Sequence, residues 1–260
     1  MKTRVRNGVC AATALALFPV LTACGQDAQP QAGREAAPLH DTAPGAGSAG
    51  KSAPTPQSAR TDAAPTAELP GLGPRTRAEV GPDTRQALVV TGRDRNSSDA
   101  EAVLYEKGAE GWKAGATWTA QNARRGWTDH HVQGDLRSPI GVYGLTDAGG
   151  LLADPGSKLP YDRDQGFTID RTDDTGQSLR GSFDYVVAIN YNRDAGRSPL
   201  DWGRPLGPKR GGGIWLHVEH TTPTQGCVAL KREVMRELLR TLDPAKKPVV
   251  VMGPKADLAK

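Results

Sequence analysis

From residue 85 onward, apolar residues occur in short runs separated by segments rich in glycine and proline. Short apolar runs bounded by turn-forming residues are typical of β-strands rather than helices. The predicted strands are 87–90, 102–106, 117–120, 142–145, 166–169, 183–189, 213–218 and 248–252. This pattern predicts a mostly β domain.

One segment near the C-terminus has a different period. Its apolar residues recur at the spacing of a helix that buries one face, with charged residues on the other face. They are Val234, Met235, Leu238, Leu239 and Leu242. Asp243-Pro244 ends the pattern. We therefore expect one main C-terminal amphipathic helix packed on the strands.

The N-terminal residues have the pattern of an export signal. Three basic residues precede an apolar run from Val9 to Leu21. This run is shorter than the ~20 apolar residues that a membrane-spanning helix needs. A basic segment followed by a short apolar one is typical of a secretory signal, so we predict a signal peptide over residues 1–23.

The apolar run ends in Leu21-Thr22-Ala23-Cys24, which resembles a bacterial lipobox. In that motif the cysteine becomes the lipidated first residue of the mature chain. The alternative is an ordinary signal peptide that is cleaved at nearby small residues. Lipidation of Cys24 would anchor the exported protein at the outer face of the cytoplasmic membrane, next to the cell wall.

Residues 24–80 are rich in Ala, Pro, Gly, Ser and Thr and contain no aromatic residue. Such a segment cannot bury enough surface to offset its ordering entropy. We predict a disordered tether over 24–80 and one folded domain over 81–260.

The charge gives no indication of a nucleic-acid partner. The formal net charge is +4, but residues 1–23 carry three bases and no acids, so the processed chain is nearly neutral. No long basic stripe of the kind that binds phosphate backbones follows.

Cysteine usage singles out one residue. Cys10 lies in the predicted signal peptide and Cys24 at the predicted lipidation site, which leaves Cys227 as the thiol of the folded domain. In an exported protein, a leftover cysteine is either paired with another chain or reactive. The alternative is a buried cysteine that packs as a small hydrophobe.

The residues around Cys227 suit a nucleophile. Gly226 leaves space beside the sulfur, and a tight turn would let the N–H groups of Gly226 and Cys227 hold an oxyanion. His217 lies ten residues earlier, with its side chain opposite those of Leu216 and Val218. That interval allows a strand to end, turn and return, so we predict His217 as the base. The alternative is a structural histidine at a strand end.

His220 is a weaker candidate for the base. Together with His217 and Cys227 it also resembles a zinc ligand set, but such a site needs four protein ligands, or three and a water. Glu219, the nearest carboxylate, would point away from His217 on a strand. We therefore predict no metal and no other cofactor, and we interpret His130-His131 as paired surface histidines.

Three segments together resemble the L,D-transpeptidases, the YkuD-like family of peptidoglycan cross-linking enzymes. Thr224-x-Gly226-Cys227-Val228, preceded by His217, is similar to the catalytic signature of that family. Residues 138–143 resemble its Pro-x-Gly-x-Phe/Tyr segment, and 183–193 resemble versions in actinobacterial members. The resemblance covers residues 85–253 and implies a YkuD-like, sandwich-like or barrel-like β domain.

The chain departs from the family pattern in three respects. Thr224-Gln225 replaces the usual Ser-His, and Ala229 stands where arginine is common. The interval between His217 and Cys227 is also shorter. These departures leave the nucleophile and base intact but bear on substrate contacts.

The resemblance implies a reaction on peptidoglycan stem peptides. His217 takes the proton of Cys227, the thiolate attacks the L-centre carbonyl of a diamino acid, and the terminal D-alanine leaves. The side-chain amine of a second stem then attacks the thioester, which cross-links two diamino acids. Water in place of the amine would make the enzyme an L,D-carboxypeptidase. Two further interpretations are a different cysteine-dependent peptidoglycan hydrolase and an inactive wall-binding module.

Four further residues are candidates for the site. Thr224 is expected either to hydrogen-bond near the reacting groups or to cap local backbone. Tyr185, Asn190 and Trp215 either line a substrate groove or belong to the core.

Overall fold

The computed structural model describes residues 63–173 and 175–260 of the chain. The predicted signal peptide, the predicted lipidation site Cys24 and most of the predicted tether lie outside these residues. Among the described residues, no helix is both long enough and apolar enough to cross a bilayer.

Strands dominate the described part of the chain. The strands are β1 (Gln86–Gly92), β2 (Asp99–Gly108), β3 (Gly111–Gln121), β4 (Trp127–Thr128), β5 (Ser138–Pro139), β6 (Gly141–Gly150), β7 (Tyr161–Arg163), β8 (Val186–Ile189), β9 (Trp215–Val218), β10 (Val228–Leu230) and β11 (Val249–Pro254). The α-helices are α1 (Pro74–Glu79), α2 (Arg232–Thr241) and α3 (Lys255–Leu258). The predicted mostly β fold with one main helix, α2, is confirmed.

The main sheet closes on itself. Its strand order is β11-β1-β2-β3-β10-β9-β8-β6-β7, and β6 pairs with β11 as well as with β8. Val251 of β11, for example, lies opposite Val142 of β6. The result is a barrel-like sheet in which closure removes most exposed strand edges.

Two hydrophobic clusters form on the two faces of β1. Leu88 and Val90 belong to the main core, whereas Ala87 and Val89 belong to a smaller second core. Side chains alternate along a strand, so a strand buried on both faces has an uninterrupted apolar run. The apolar face of α2 packs into the main core, as its period predicts.

Two predicted strands differ from the structure. The run 166–169 contains a 3-10 turn, Gln165–Phe167, because the Asp164 carboxylate accepts a hydrogen bond from the N–H of Gly166 at 2.6 Å. The run 183–189 is extended only in β8. Its first residues form a turn in which the N–H of Asp184 donates to the carbonyl of Gly181 at 3.2 Å.

Residues 63–80, which the composition assigns to the tether, pack on the domain instead. Thr66 and Trp112 exchange two backbone hydrogen bonds, of 2.9 and 2.7 Å. Leu69 and Leu72 are buried in the second core, and α1 follows them. The tether prediction is wrong for this stretch, because two leucines suffice when a distant surface supplies the rest of the apolar contact.

Leu72→Ala is expected to lower the free energy of unfolding by about 2–5 kcal/mol, the usual range for truncating a buried leucine. Leu72 is only 5% exposed. Urea denaturation of the full-length protein measures the change. Arg75→Ala, at an exposed position of α1, is the control and should change stability by no more than about 0.5 kcal/mol. Equal effects would mean that this stretch does not pack as described.

The pairing of β9 and β10 positions the residues of interest. The two strands are parallel, with Val228 opposite Leu216 and Ala229 opposite His217. The chain therefore runs in the same direction in β9 and β10 and does not turn straight back along β9. The connection runs back to the level at which β9 begins, and its last residue, Cys227, arrives beside Trp215.

Candidate active site

A cleft of about 530 Å3 opens beside the first residues of β9 and β10. Its walls come from four segments, within 124–134, 166–183, 200–202 and 212–227. Six of the predicted site residues line it: Thr224, Gly226, Cys227, Trp215, His217 and His220. The fold thus brings most of the predicted site into one cavity.

Cys227 is a partly exposed residue, and its free thiol is held between two backbone groups. The N–H of Trp215 donates to Sγ at 3.4 Å, and Sγ lies 3.6 Å from the carbonyl oxygen of Gly213. Burial raises the pKa of Cys227 to about 11, against the smaller, opposing effect of the Trp215 N–H. The thiol is therefore protonated at neutral pH and needs a base to become a nucleophile.

His217 has the protonation state of such a base. Its Nδ1 lies 2.8 Å from the carbonyl oxygen of Val218. A carbonyl only accepts, so Nδ1 carries the proton and Nε2 keeps its lone pair. Burial lowers the pKa of His217 to about 4, which keeps the ring neutral at pH 7. Because Ala229 lies opposite His217, Cys227 extends from the same face of the adjacent strand.

Aromatic rings hold His217 in place. The Phe183 ring meets the imidazole edge-to-face, with centroids 5.5 Å apart. The His220 ring stacks on the same imidazole at 5.6 Å, with the two ring planes only 6° from parallel. Stacked imidazoles do not converge on one ion, and in the described part of the chain no group of three or more His, Cys, Asp or Glu residues is placed to hold a metal.

The backbone N–H groups of Gly226 and Cys227 are available to a ligand. Neither donates a hydrogen bond to any of the described residues, although Gly226 is buried. A buried N–H without an acceptor is costly, and such groups are commonly satisfied by water or by a bound molecule. Two adjacent free donors beside a thiol have the character of an oxyanion-binding site.

Thr224 caps the loop that carries Cys227. Its hydroxyl donates to the carbonyl of Cys227 at 2.6 Å, and its N–H donates to the carbonyl of Asn122 at 3.2 Å. The Ser138 hydroxyl donates to the same Cys227 carbonyl at 3.3 Å. Thr224 thus caps a backbone carbonyl, and that carbonyl belongs to the residue that carries the thiol.

Thr224→Val is expected to cost about 0.5–1.5 kcal/mol of unfolding free energy, because it removes a part-buried hydrogen bond to the Cys227 carbonyl and keeps the side-chain volume. Thr224 is 3% exposed. Thr224→Ser, which keeps the hydroxyl, is the matched control and should lose less. Urea denaturation distinguishes them, and an equal loss for both would contradict the capping role.

Two predicted groove residues lie elsewhere. Tyr185 belongs to the main core. Asn190 is bonded to Thr146 and to Arg193, which also pairs with the buried Asp147 at 2.9 Å. Neither Tyr185 nor Asn190 lines the cleft. Tyr185 shares the face of Val187 and Ile189, which also belong to the main core, so the core alternative applies to it.

Three cleft residues escaped the sequence analysis as site candidates. His131, interpreted there as a surface residue, is only 4% exposed and lines the cleft. Phe183 packs against His217, and Trp202 stands at the rim with 81% of its surface exposed. For Trp202, the available sequence signal was a lone tryptophan in a segment rich in glycine and proline. For His131, the polar neighbours indicated a surface position rather than a place in the cleft.

The chain matches the family model YkuD, L,D-transpeptidase catalytic domain, over residues 84–251. Among solved structures, that of Bd1075 from Bdellovibrio bacteriovorus matches with 19% sequence identity and a TM-score of 0.36. That match covers 74% of this chain and 56% of the other. No curated protein matches the chain. Because the family model spans more than half of the sequence, the chain belongs to the YkuD family of L,D-transpeptidase catalytic domains.

Proposed function

We propose that this protein is a peptidoglycan L,D-transpeptidase that cross-links the diamino acids of two stem peptides through a thioester on Cys227. The observation that carries the proposal is a neutral thiol and a neutral imidazole on one face of two adjacent strands, in one cleft. The family membership supplies the reaction class, acyl transfer on peptidoglycan.

The first half-reaction forms the thioester. Nε2 of His217 takes the thiol proton as Sγ attacks the L-centre carbonyl of the donor stem, since neither group is charged beforehand. The carbonyl oxygen gains negative charge, which the N–H groups of Gly226 and Cys227 stabilise. The proton then passes from His217 to the nitrogen of the departing D-alanine. The Val218 carbonyl holds the imidazole in the required tautomer at each step.

The second half-reaction releases the acyl group. The amine of an acceptor stem attacks the thioester carbon, the C–S bond breaks, and the sulfur regains a proton through His217. If water attacks instead, the product is a tripeptide and the activity is that of an L,D-carboxypeptidase. The same thioester precedes both products.

Disaccharide-tetrapeptide tests the proposal. Full-length protein is incubated with it, and products and intact protein are analysed by mass spectrometry. A cross-linked dimer, released D-alanine and an acyl adduct on Cys227 are expected. Tripeptide alone would establish the carboxypeptidase. Neither product nor adduct would overturn the catalytic proposal and favour the wall-binding module.

We further propose that the domain acts outside the cytoplasmic membrane, anchored by lipid on Cys24. The support is the basic and apolar pattern of residues 1–23 and the lipobox-like ending. Cys24→Ser is expected to shift the protein from the membrane fraction to the soluble fraction of an expressing bacterium, as followed by immunoblotting. An unchanged distribution would contradict the anchor.

A further inference from the structure

A second histidine is fixed in the wall of the cleft. Nδ1 of His131 lies 3.0 Å from Oδ1 of Asp135. The Tyr191 ring meets the imidazole edge-to-face at 5.2 Å, and the Tyr191 hydroxyl donates to the His131 carbonyl at 3.1 Å. Asp135 is itself held, because it accepts hydrogen bonds from the N–H groups of Val132 and Arg137. The ring therefore has a fixed position and a carboxylate behind it.

The other edge of the ring is left open by two glycines. A Cβ on Gly211 would lie 2.9 Å from Nε2 of His131, and a Cβ on Gly226 would lie 3.7 Å from its Cε1. Gly211 has a φ of 65°, which favours glycine there. Among the described residues no hydrogen bond to Nε2 is found, and Nδ1, although 3.0 Å from Asp135, lacks a well-directed one as well. A polar atom of a nearly buried side chain thus stays uncovered beside the residue that precedes Cys227.

His131 and His217 lie in different parts of the cleft wall. His217 is packed by Phe183 and His220. His131 instead lies beside Gly226, where an added Cβ would come 3.7 Å from its Cε1. The cleft therefore holds three imidazoles: the stacked pair of His217 and His220 and, apart from them, His131. The mechanism proposed above uses only one of them.

Cross-linking requires a second base, because the acceptor amine must lose two protons. A side-chain amine arrives as an ammonium at neutral pH, because its pKa is about 10.4. It must lose one proton before it can attack and another as the amide forms. His217 returns a single proton to the sulfur. Water needs to lose only one proton, so hydrolysis has no such requirement.

We infer that His131, backed by Asp135, takes the first proton from the acceptor ammonium and so favours cross-linking over hydrolysis. This inference rests on the proposed transpeptidase function. The ammonium gives a proton to Nε2 of His131, and the free amine attacks the thioester carbon. The C–N bond forms, the C–S bond breaks, and the second proton passes through His217 to the sulfur of Cys227. His131 then releases its proton to water.

The charges around His131 suit this role. Burial lowers the pKa of His131, Asp135 and the backbone of Arg137 oppose that shift, and Arg210 adds to it. The ring is therefore neutral and able to accept a proton at pH 7. The Asp135 carboxylate stabilises the imidazolium once it forms, as a carboxylate does behind a catalytic histidine.

His131→Gln in the full-length protein tests the inference on disaccharide-tetrapeptide. D-alanine release in a single turnover reports acylation, and the ratio of dimer to tripeptide reports the fate of the thioester. Acylation should stay within about threefold of wild type, and the ratio should fall by about tenfold or more. His130→Gln, at the exposed neighbouring position, is the matched control and should change neither quantity.

A neutral acceptor separates proton removal from a merely structural effect. Methoxyamine is uncharged at pH 7, so His131→Gln should transfer the acyl group to it as fast as wild type does. Equal loss with both acceptors, or an unchanged dimer ratio, would overturn the inference. If His131→Gln does not fold, Asp135→Asn is tested against the same two outcomes. A wild type that forms no thioester would instead refute the proposed function itself.

Discussion

Cys227→Ala is expected to abolish both D-alanine release and dimer formation, a loss of about 10^4-fold or more in rate. The change removes the only atom that can carry the acyl group. It should barely disturb the fold, because among the described residues Sγ accepts one hydrogen bond, from Trp215, and donates one long one, to Gly213. Release of D-alanine and the intact-protein mass are the measurements.

Two controls make this result specific. Cys227→Ser keeps a hydroxyl in place and should also be nearly inactive, because a serine hydroxyl is much less acidic than a thiol. Cys24→Ser should leave the rate on a soluble substrate unchanged, since that residue takes no part in acyl transfer. A Cys227→Ala protein that still releases D-alanine would remove Cys227 from the mechanism.

His217→Gln should reduce acylation at pH 7 by about 10^2- to 10^4-fold, the usual contribution of a general base. With pKa values of about 11 for Cys227 and about 4 for His217, the resting pair is neutral. Without the base, the reaction depends on the small fraction of thiolate. The residual rate should then rise about tenfold per pH unit toward the pKa of the thiol.

The wild-type pH profile follows from the same two groups. His217 is a base only when unprotonated, so the acylation rate should hold from neutral to mildly acidic pH. It should fall as the pH approaches the His217 pKa of about 4. Single-turnover rates across pH measure both profiles, with His130→Gln as the control. A His217→Gln profile parallel to that of wild type would exclude His217 as the base.

The protonation states also change what thiol labelling can reveal. A thiol with a pKa of about 11 alkylates slowly at pH 7 even when it is catalytic. Slow labelling of the free protein is therefore compatible with an enzyme here. The acyl adduct formed with substrate is the informative observation.

Much of the fold follows from local patterns in the chain. The helical period of the apolar residues predicts α2, and the short apolar runs between glycines and prolines predict the strands. Both signals are local, because side-chain periodicity depends only on neighbours in sequence. The strand prediction for 166–169 was wrong because the Asp164 carboxylate accepts a hydrogen bond from the Gly166 N–H and so favours a turn. The tether prediction was wrong for residues 63–80 because the residues they pack against, such as Trp112, are distant in sequence.

The sequence by itself determined the residue types of the site: a thiol at Cys227, a histidine ten residues before it, and glycine beside it. The tertiary structure decided the rest. The parallel pairing of β9 and β10 sets the face that Cys227 and His217 share, and burial sets their protonation states. The fold also brought His131 into the cleft and took Tyr185 out of it. Desolvation and contact depend on which distant segments meet, and no local pattern encodes that.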